Sequence, residues 1–292
     1  MKSYYHYCSK GLTLDVLFAN TAEFIAGMNR VAICVLLAVA RGMPVQVISF
    51  CLMDNHVHFI LYGSREACDL FAADFKKLTG MWITRHRGER LHDNIDFGEG
   101  FVIRGRDDLR EKIAYVLRNP VAAGMETTAQ GYRWSTANLM FSDTTAVLSS
   151  GLKASSFSER KLREILGSKV PIPQDWIILS DGLIWPGCYT RQDAAVRQFD
   201  SARNFTFMLG DSRIDGRVNE EMASQTLSIP DGEIRGHARA LAKELFGAGS
   251  IGDCDPNQRL TVCRILRKTY KCGTKQLARI TGLKQETISD LI

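Results

Sequence analysis

The sequence contains no CxxC pair, no GxxxxGKS or GxxxxGKT loop and no internal repeat. Its eight cysteines, Cys8, Cys34, Cys51, Cys68, Cys188, Cys254, Cys263 and Cys272, therefore lack the paired spacing of a structural zinc site. Most lie inside apolar segments, which reads as buried thiols in a reducing compartment. The missing phosphate loop removes the usual sequence sign of a nucleotide-driven enzyme. No apolar run reads as long enough to span a bilayer, and Met1-Lys2-Ser3-Tyr4-Tyr5-His6 carries no signal-peptide core. The expectation is a cytoplasmic protein with no membrane partner.

What is present is 292 residues, 45% of them hydrophobic, which is more than one small domain needs and enough for packed cores. The net charge of +5 is mild, but its location is informative. From Asp255 to Ile292 there are eight Lys or Arg against three Asp or Glu, an excess equal to the whole net charge. A basic terminal segment on a near-neutral body suggests a polyanion-binding module; a solvated helical surface has the same composition.

Residues 1 to 141 read as one unit. Tyr4 to Leu12 predicts an aromatic-rich strand. Thr21 to Ala40 has helical apolar spacing and stops at Gly42-Met43-Pro44. Val45 to Met53 and His56 to Tyr62 predict a hairpin about Asp54-Asn55. Ser64 to His86 predicts a helix, Gly98 to Arg104 a strand, and Asp107 to Asn119 a helix stopped by Pro120. That order, βαββαβα, fits an α+β fold: an antiparallel sheet with helices on one face. Residues 142 to 250 read as a linker and a mixed, mostly helical region with no motif. Residues 251 to 292 read as a basic helical module.

Two places carry candidate chemistry. On a strand through His56-Val57-His58, Val57, Phe59 and Leu61 point into a core, and His56 and His58 share the other face. Two adjacent imidazoles can hold one divalent ion, or can simply sit on a half-exposed sheet face. On the helix Asp107–Asn119, Leu109, Ile113, Val116 and Leu117 form one stripe. Tyr115 lies opposite that stripe with Asp108 and Lys112, and Asn119 follows one turn later on the same side. A phenol and an amide can thus be presented to one point; an exposed or interfacial tyrosine has the same spacing.

Together these pieces resemble a family. Met53-Asp54-Asn55-His56-Val57-His58-Phe59 resembles the MpNHvH strand of the HUH single-tyrosine transposases, with Asp54 where that strand has proline. Tyr115-Val116-Leu117-Arg118-Asn119-Pro120-Val121-Ala122-Ala123-Gly124-Met125 resembles the YIxxNPVxAGL segment of their REP-associated branch. Tyr132-Arg133-Trp134-Ser135 is similar to the YxWSS stretch that follows it. The resemblance covers residues 1 to 140.

It implies a ferredoxin-like HUH domain and a Mg²⁺ or Mn²⁺ ion held by His56, His58 and Asn119. Tyr115 would be the nucleophile that cleaves and transfers single-stranded DNA beside a hairpin, through a 5′-phosphotyrosine. Lys76, Lys77, Arg85, Arg87 and Arg90 follow the histidine strand and are candidates to track phosphates; Trp82 and Phe101 are candidates to stack on bases. Lys112 is a candidate to lower the Tyr115 pKa or to touch DNA. Surface charges and core aromatics have the same residue types. A homodimer is compatible with this reading.

Thr274 to Leu291 resembles a helix-turn-helix. Thr274 caps a first short helix with Leu277 and Ala278, Gly282 marks the turn, and Ile288 and Leu291 fall in a second helix. Lys284 and Gln285 would open that second, DNA-facing helix. A helical hairpin serving as an interface is the alternative. For the whole chain, the alternative to an active strand transferase is a non-catalytic DNA-binding regulator derived from one. A relaxase or replication initiator shares the HUH chemistry but not the NPVxAG-like segment.

Overall fold

In a computed structural model of the chain, residues 1–9, 16–88, 95–225, 231–270, 272, 274–284 and 287–288 are described. They divide into two compact units, Met1–Asp215 and Gly216–Ile292.

The first unit is built on four strands: β1 (Lys2–Cys8), β2 (Gln46–Leu52), β3 (Val57–Ser64) and β4 (Phe101–Ile103). Their order is β2-β3-β1-β4, and every neighbouring pair is antiparallel. With α1 (Thr21–Ala40) between β1 and β2, and α2 (Arg65–Arg87) between β3 and β4, this is the ferredoxin-like arrangement, an α+β fold. The start of β1 matches its expected strand only in part, and residues 10–15, including Leu12, lie outside the described residues.

Strand alternation assigns the two sheet faces. Tyr5, Tyr7, Val57, Phe59 and Leu61 turn toward α1 and α2, where Phe59 meets Phe71 and Phe75. His6 and His58, one step out of phase, turn toward α3 (Gly105–Ala122). The expectation of helices on one face therefore holds for α1 and α2, while α3 covers the opposite face.

Helix α1 begins where Asn20 accepts the Glu23 backbone N–H, an N-cap typical of asparagine. At 20 residues and a mean hydropathy of 1.8 it is long and apolar enough to cross a bilayer, contrary to the sequence expectation. Here it is a core helix. Its buried Asn29 bonds the Gly182 carbonyl and the Ile184 N–H, and its buried Arg30 donates to the Leu166 carbonyl at 2.7 Å.

Those partners come from residues 142 to 250, expected to be a linker and a mixed, mostly helical region set apart from the first domain. Instead, α4 (Thr145–Ser150), a small ladder of β5 (Leu152–Lys153) with β6 (Ile177–Ile178), α5 (Glu159–Leu166), α6 (Gln192–Val196) and α7 (Ala202–Gly210) belong to the first unit. Trp176, Ile184 and Tyr189 join the core beside α1. The fold thus divides after residue 215 and not after 141. Polar, serine-rich composition at 142–156 concealed this, because the apolar residues that dock come later.

Helix α3 runs through Pro120 to Ala122, two residues beyond the expected stop. Proline in the last turn forfeits only the N–H that would reach the Val116 carbonyl. Ala123 and Gly124 N–H groups then close the end on Asn119 and Val121 carbonyls, with Gly124 in the left-handed region at φ 69°.

The second unit contains α9 (Asp231–Phe246), α10 (Pro256–Tyr270) and α11 (Thr274–Thr281); α8 (Arg213–Gln225) leads into it. Ile234 and Ala238 of α9 share one core with Val262, Cys263 and Leu266 of α10 and with Leu277, Ile280 and Ile288. The predicted turn is present at Gly282, φ 71°. Of the second helix only Thr287–Ile288 are described as helical; Gln285 and Leu291 lie outside the described residues.

Candidate active site

Three elements, β3, β1 and α3, converge on the α3 face of the sheet. Strand β3 supplies His58, and the residue just before that strand supplies His56. Helix α3 supplies Tyr115 and Asn119, and β1 supplies His6 and Cys8. Antiparallel pairing sets Cys8 opposite His58. The Tyr115 ring stands edge-on to His58 at 5.5 Å and to His6 at 5.8 Å between centroids. The His56 and His58 rings are 4.8 Å apart. The Asn119 amide lies within hydrogen-bonding reach of His56, His58 and the Tyr115 hydroxyl. The sequence-predicted set of His56, His58, Tyr115 and Asn119 is therefore brought together at one point.

The site is deep at one end and open at the other. His6 and His58 are 0% and 1% exposed and Tyr115 is 8% exposed, whereas Cys8, Asn55, His56 and Asn119 are half-buried at the mouth. The alternative reading, two histidines on a half-exposed sheet face, fits half-buried His56 but not His58. Helix α3 is buried on nearly every side, so Tyr115 does have core contacts, made with the sheet and not with the Leu109–Leu117 stripe. On α3's outer side, buried Arg118 bonds the Leu209 carbonyl and pairs with Asp215, which fixes the helix in place.

Burial sets the protonation states. His6 is held down to about 3, by desolvation and then by the Lys112 cation. Desolvation lowers His58 well below its ordinary value, reinforced by His56 and His6 and opposed by Asn119. His56 is lowered by burial against the opposing pull of Asn119 and Asp54. All three imidazoles are thus neutral near pH 7, the form that ligates metals. Burial, with Cys8 nearby, raises the Tyr115 phenol, and only the Asn119 bond lowers it. The phenol alone is a poor nucleophile.

The donor set fits a divalent ion: two neutral imidazoles and an amide oxygen, with a half-buried mouth where water or phosphate oxygen completes the shell. Among the described residues no group of three or more His, Cys, Asp and Glu is arranged to hold a metal. A cation held here by His56 and His58 would take its third protein donor from the Asn119 amide.

The expected DNA contacts are not brought to this point. Lys76, Lys77 and Arg85 are exposed on α2, across the sheet from Tyr115. Arg87 is corrected: it pairs with Glu23 at 2.6 Å and bonds the Val16 and Leu17 carbonyls, so it ties α2 to the start of α1. Lys112 is also corrected: it is 1% exposed and faces Asp108 at 3.7 Å, which bars contact with DNA phosphates. Trp82 packs on the core and stacks on His86. Phe101 lies near His6, at 6.3 Å between ring centroids. Arg90 lies outside the described residues. In the second unit Lys284 is exposed, while Arg259 is committed to the carbonyls of Gly252, Cys254 and Thr281.

The Tyr132–Ser135 motif has a structural task. It runs along β2: the Leu52 N–H bonds the Trp134 carbonyl, Cys51 bridges Ser135, and the Tyr132 hydroxyl donates to the Leu52 carbonyl at 2.8 Å. Trp134 stacks on Phe24. The motif thereby covers a sheet edge. All eight cysteines are thiols; six are buried, and Cys8 and Cys188 are half-buried. Sequence reasoning missed His6 and Cys8. The available signal was the alternation of His6 with Tyr5 and Tyr7, but the pairing of β1 with β3 was not readable.

No family model matches the chain, and no curated protein matches it. A solved structure, that of a REP-associated tyrosine transposase bound to a REP hairpin, is similar over 47% of this chain and 78% of that chain, with 16% identity and a TM-score of 0.36.

Proposed function

We propose that this chain is a metal-dependent single-strand DNA nickase and strand transferase of the HUH single-tyrosine class, acting beside hairpins. The observation that carries the reading is the convergence of Tyr115, Asn119, His56 and His58 at one half-open point. His58 and Tyr115 belong to motifs 57 residues apart in sequence and meet only in the fold.

His56, His58 and Asn119 would hold Mg²⁺ or Mn²⁺, which when bound supplies Lewis-acid polarisation of the scissile phosphate and charge neutralisation. Tyr115 supplies the attacking oxygen. Its O–P bond forms as the bond from phosphorus to the 3′ oxygen breaks. The phenol proton leaves to solvent and the 3′ oxygen takes one up, giving a 5′-phosphotyrosine and a free 3′-hydroxyl. One phosphoester replaces another, so rejoining needs no nucleotide. Asn119 steadies the phenolate by its hydrogen bond. The Arg118 contacts hold the helix that carries the phenol.

The second unit is proposed as the DNA-docking module, supported by the excess of basic residues beyond 255 and by the turn at Gly282. The test of the catalytic reading is incubation with end-labelled, hairpin-bearing single strands and Mn²⁺. A denaturant-resistant adduct on Tyr115 is expected. Cleavage without an adduct would mean hydrolysis by water and defeat the tyrosine mechanism.

A further inference from the structure

His6 is a fully buried imidazole to which the proposed mechanism gives no task. It lies in the middle of β1, opposite Ile60, with His58 as its diagonal neighbour on β3. Its Nε2 is 3.1 Å from His58 Nδ1, and the rings lie 21° from parallel. Two ring nitrogens at that distance share one hydrogen.

Two neutral arrangements satisfy the pair. If His58 donates from Nδ1, its Nε2 keeps a lone pair, and that nitrogen faces the mouth, 3.8 Å from Cys8 Sγ. If His6 donates instead, His58 carries its hydrogen on Nε2 and cannot ligate a cation. Among the described residues His6 Nδ1 has no hydrogen-bond partner, so the first arrangement leaves a bare N–H there. A cation held at His58 Nε2 would select that arrangement.

We infer that His6 is a positioning residue: it accepts the His58 Nδ1 hydrogen and so directs the Nε2 lone pair of His58 at the point shared with His56 and Asn119. This rests on the metal site proposed above. Ligating histidines are generally oriented by an acceptor on their other nitrogen. Here the acceptor is a second imidazole, which leaves the pair able to switch.

The test uses full-length chain, Mn²⁺ calorimetry and imidazole ¹⁵N spectra. His6→Phe keeps the ring shape and removes the acceptor; Mn²⁺ binding is expected to weaken about 10- to 100-fold. His6→Gln restores an oxygen acceptor and is expected to bind within about threefold of wild type. With only six histidines, ¹⁵N-His labelling in saturating Mg²⁺ resolves His58, assigned by its loss in His58→Gln. Its hydrogen should reside on Nδ1.

Normal Mn²⁺ affinity in His6→Phe would overturn the assignment of His6 while leaving the metal site intact, provided His58→Ala abolishes binding. A Gln variant as weak as Phe would overturn it too, because ring packing and not the acceptor would then matter. Failure of wild type to bind Mn²⁺ would sink both the site and the inference. If His6→Phe does not fold, the wild-type spectrum still decides: an Nε2–H signal with Mg²⁺ bound overturns the proposal.

Discussion

Asn119 donates its side-chain amide to the Tyr115 carbonyl, one turn earlier in the same helix, at 2.8 Å. That bond uses one amide hydrogen, leaving the second for the Tyr115 phenol and the amide oxygen for a cation that His56 and His58 would share. It also ties the Asn119 side chain to the helical turn that carries the nucleophile.

Asn119→Ala should therefore weaken Mn²⁺ binding at least about tenfold, or about 1.4 kcal/mol. Asn119→Asp should restore it, because a carboxylate oxygen replaces the amide oxygen. Calorimetry on the purified chain measures both. Equal affinity for Ala and wild type would remove Asn119 from the ligand set.

Tyr115→Phe should abolish the covalent adduct and reduce strand cleavage by at least about 10³-fold. Phenylalanine fills the same buried space against His6 and His58, so binding of the hairpin strand should stay within about threefold. Gel retardation and the adduct assay separate the two quantities. Undiminished nicking would point to another tyrosine, or to water.

The triple variant Lys76→Ala, Lys77→Ala, Arg85→Ala should change the cleavage rate at saturating DNA by less than about twofold, since these exposed residues lie across the sheet from the phenol. A larger loss in rate would require DNA to wrap around the sheet edge.

The chemistry-bearing residues were more legible than the surfaces around them. The alternation at Val57-His58-Phe59 and the one-turn spacing of Tyr115 and Asn119 are local, and the backbone periods of strand and helix carried them into the structure. What the sequence hid was long-range. Lys76 and Lys77 follow the histidine strand closely, yet the sheet intervenes, because a helix after β3 must pack on one face and α3 on the other. Lys112 reads as a cation that could touch DNA or the phenol but is buried beside Asp108 and His6. The division after residue 215 was hidden because Asn29 and Arg30, polar residues within an apolar helix, await partners more than 130 residues away.

Glu23→Gln should destabilise the first unit by about 1–3 kcal/mol, discounted for the partial exposure of its partner Arg87. Burial works to raise the Glu23 carboxyl, but the bonds from Arg87, the Ala19 N–H and Asn20 lower it below its ordinary value overall. A depressed carboxyl contributes stability that is present above its unfolded pKa, about 4.3, and is lost as pH falls through the folded value. The gap between wild type and Glu23→Gln in urea melts should thus be full at pH 7 and narrow below about pH 4. A gap independent of pH would assign the loss to packing alone.

The second unit's role in DNA binding is best tested without truncation. A cut at Asp255 would strip α9 of the residues that bury Ile234 and Ala238, namely Val262, Leu266 and Leu277. The remnant would expose an apolar face, and weaker DNA binding would then report misfolding. Lys284→Glu avoids this: Lys284 is exposed, just past the Gly282 turn, and touches no core. Each neutralised phosphate releases counterions, so removing one contact should lower the log–log salt slope of hairpin binding by about one. Affinity at low salt should fall about 3- to 10-fold, while nicking at saturating DNA stays within about twofold, because Tyr115 belongs to the other unit. An unchanged slope and affinity would mean that this turn does not meet DNA. The basic segment would then be better read as a self-association surface, and sedimentation of the variant beside wild type would decide that.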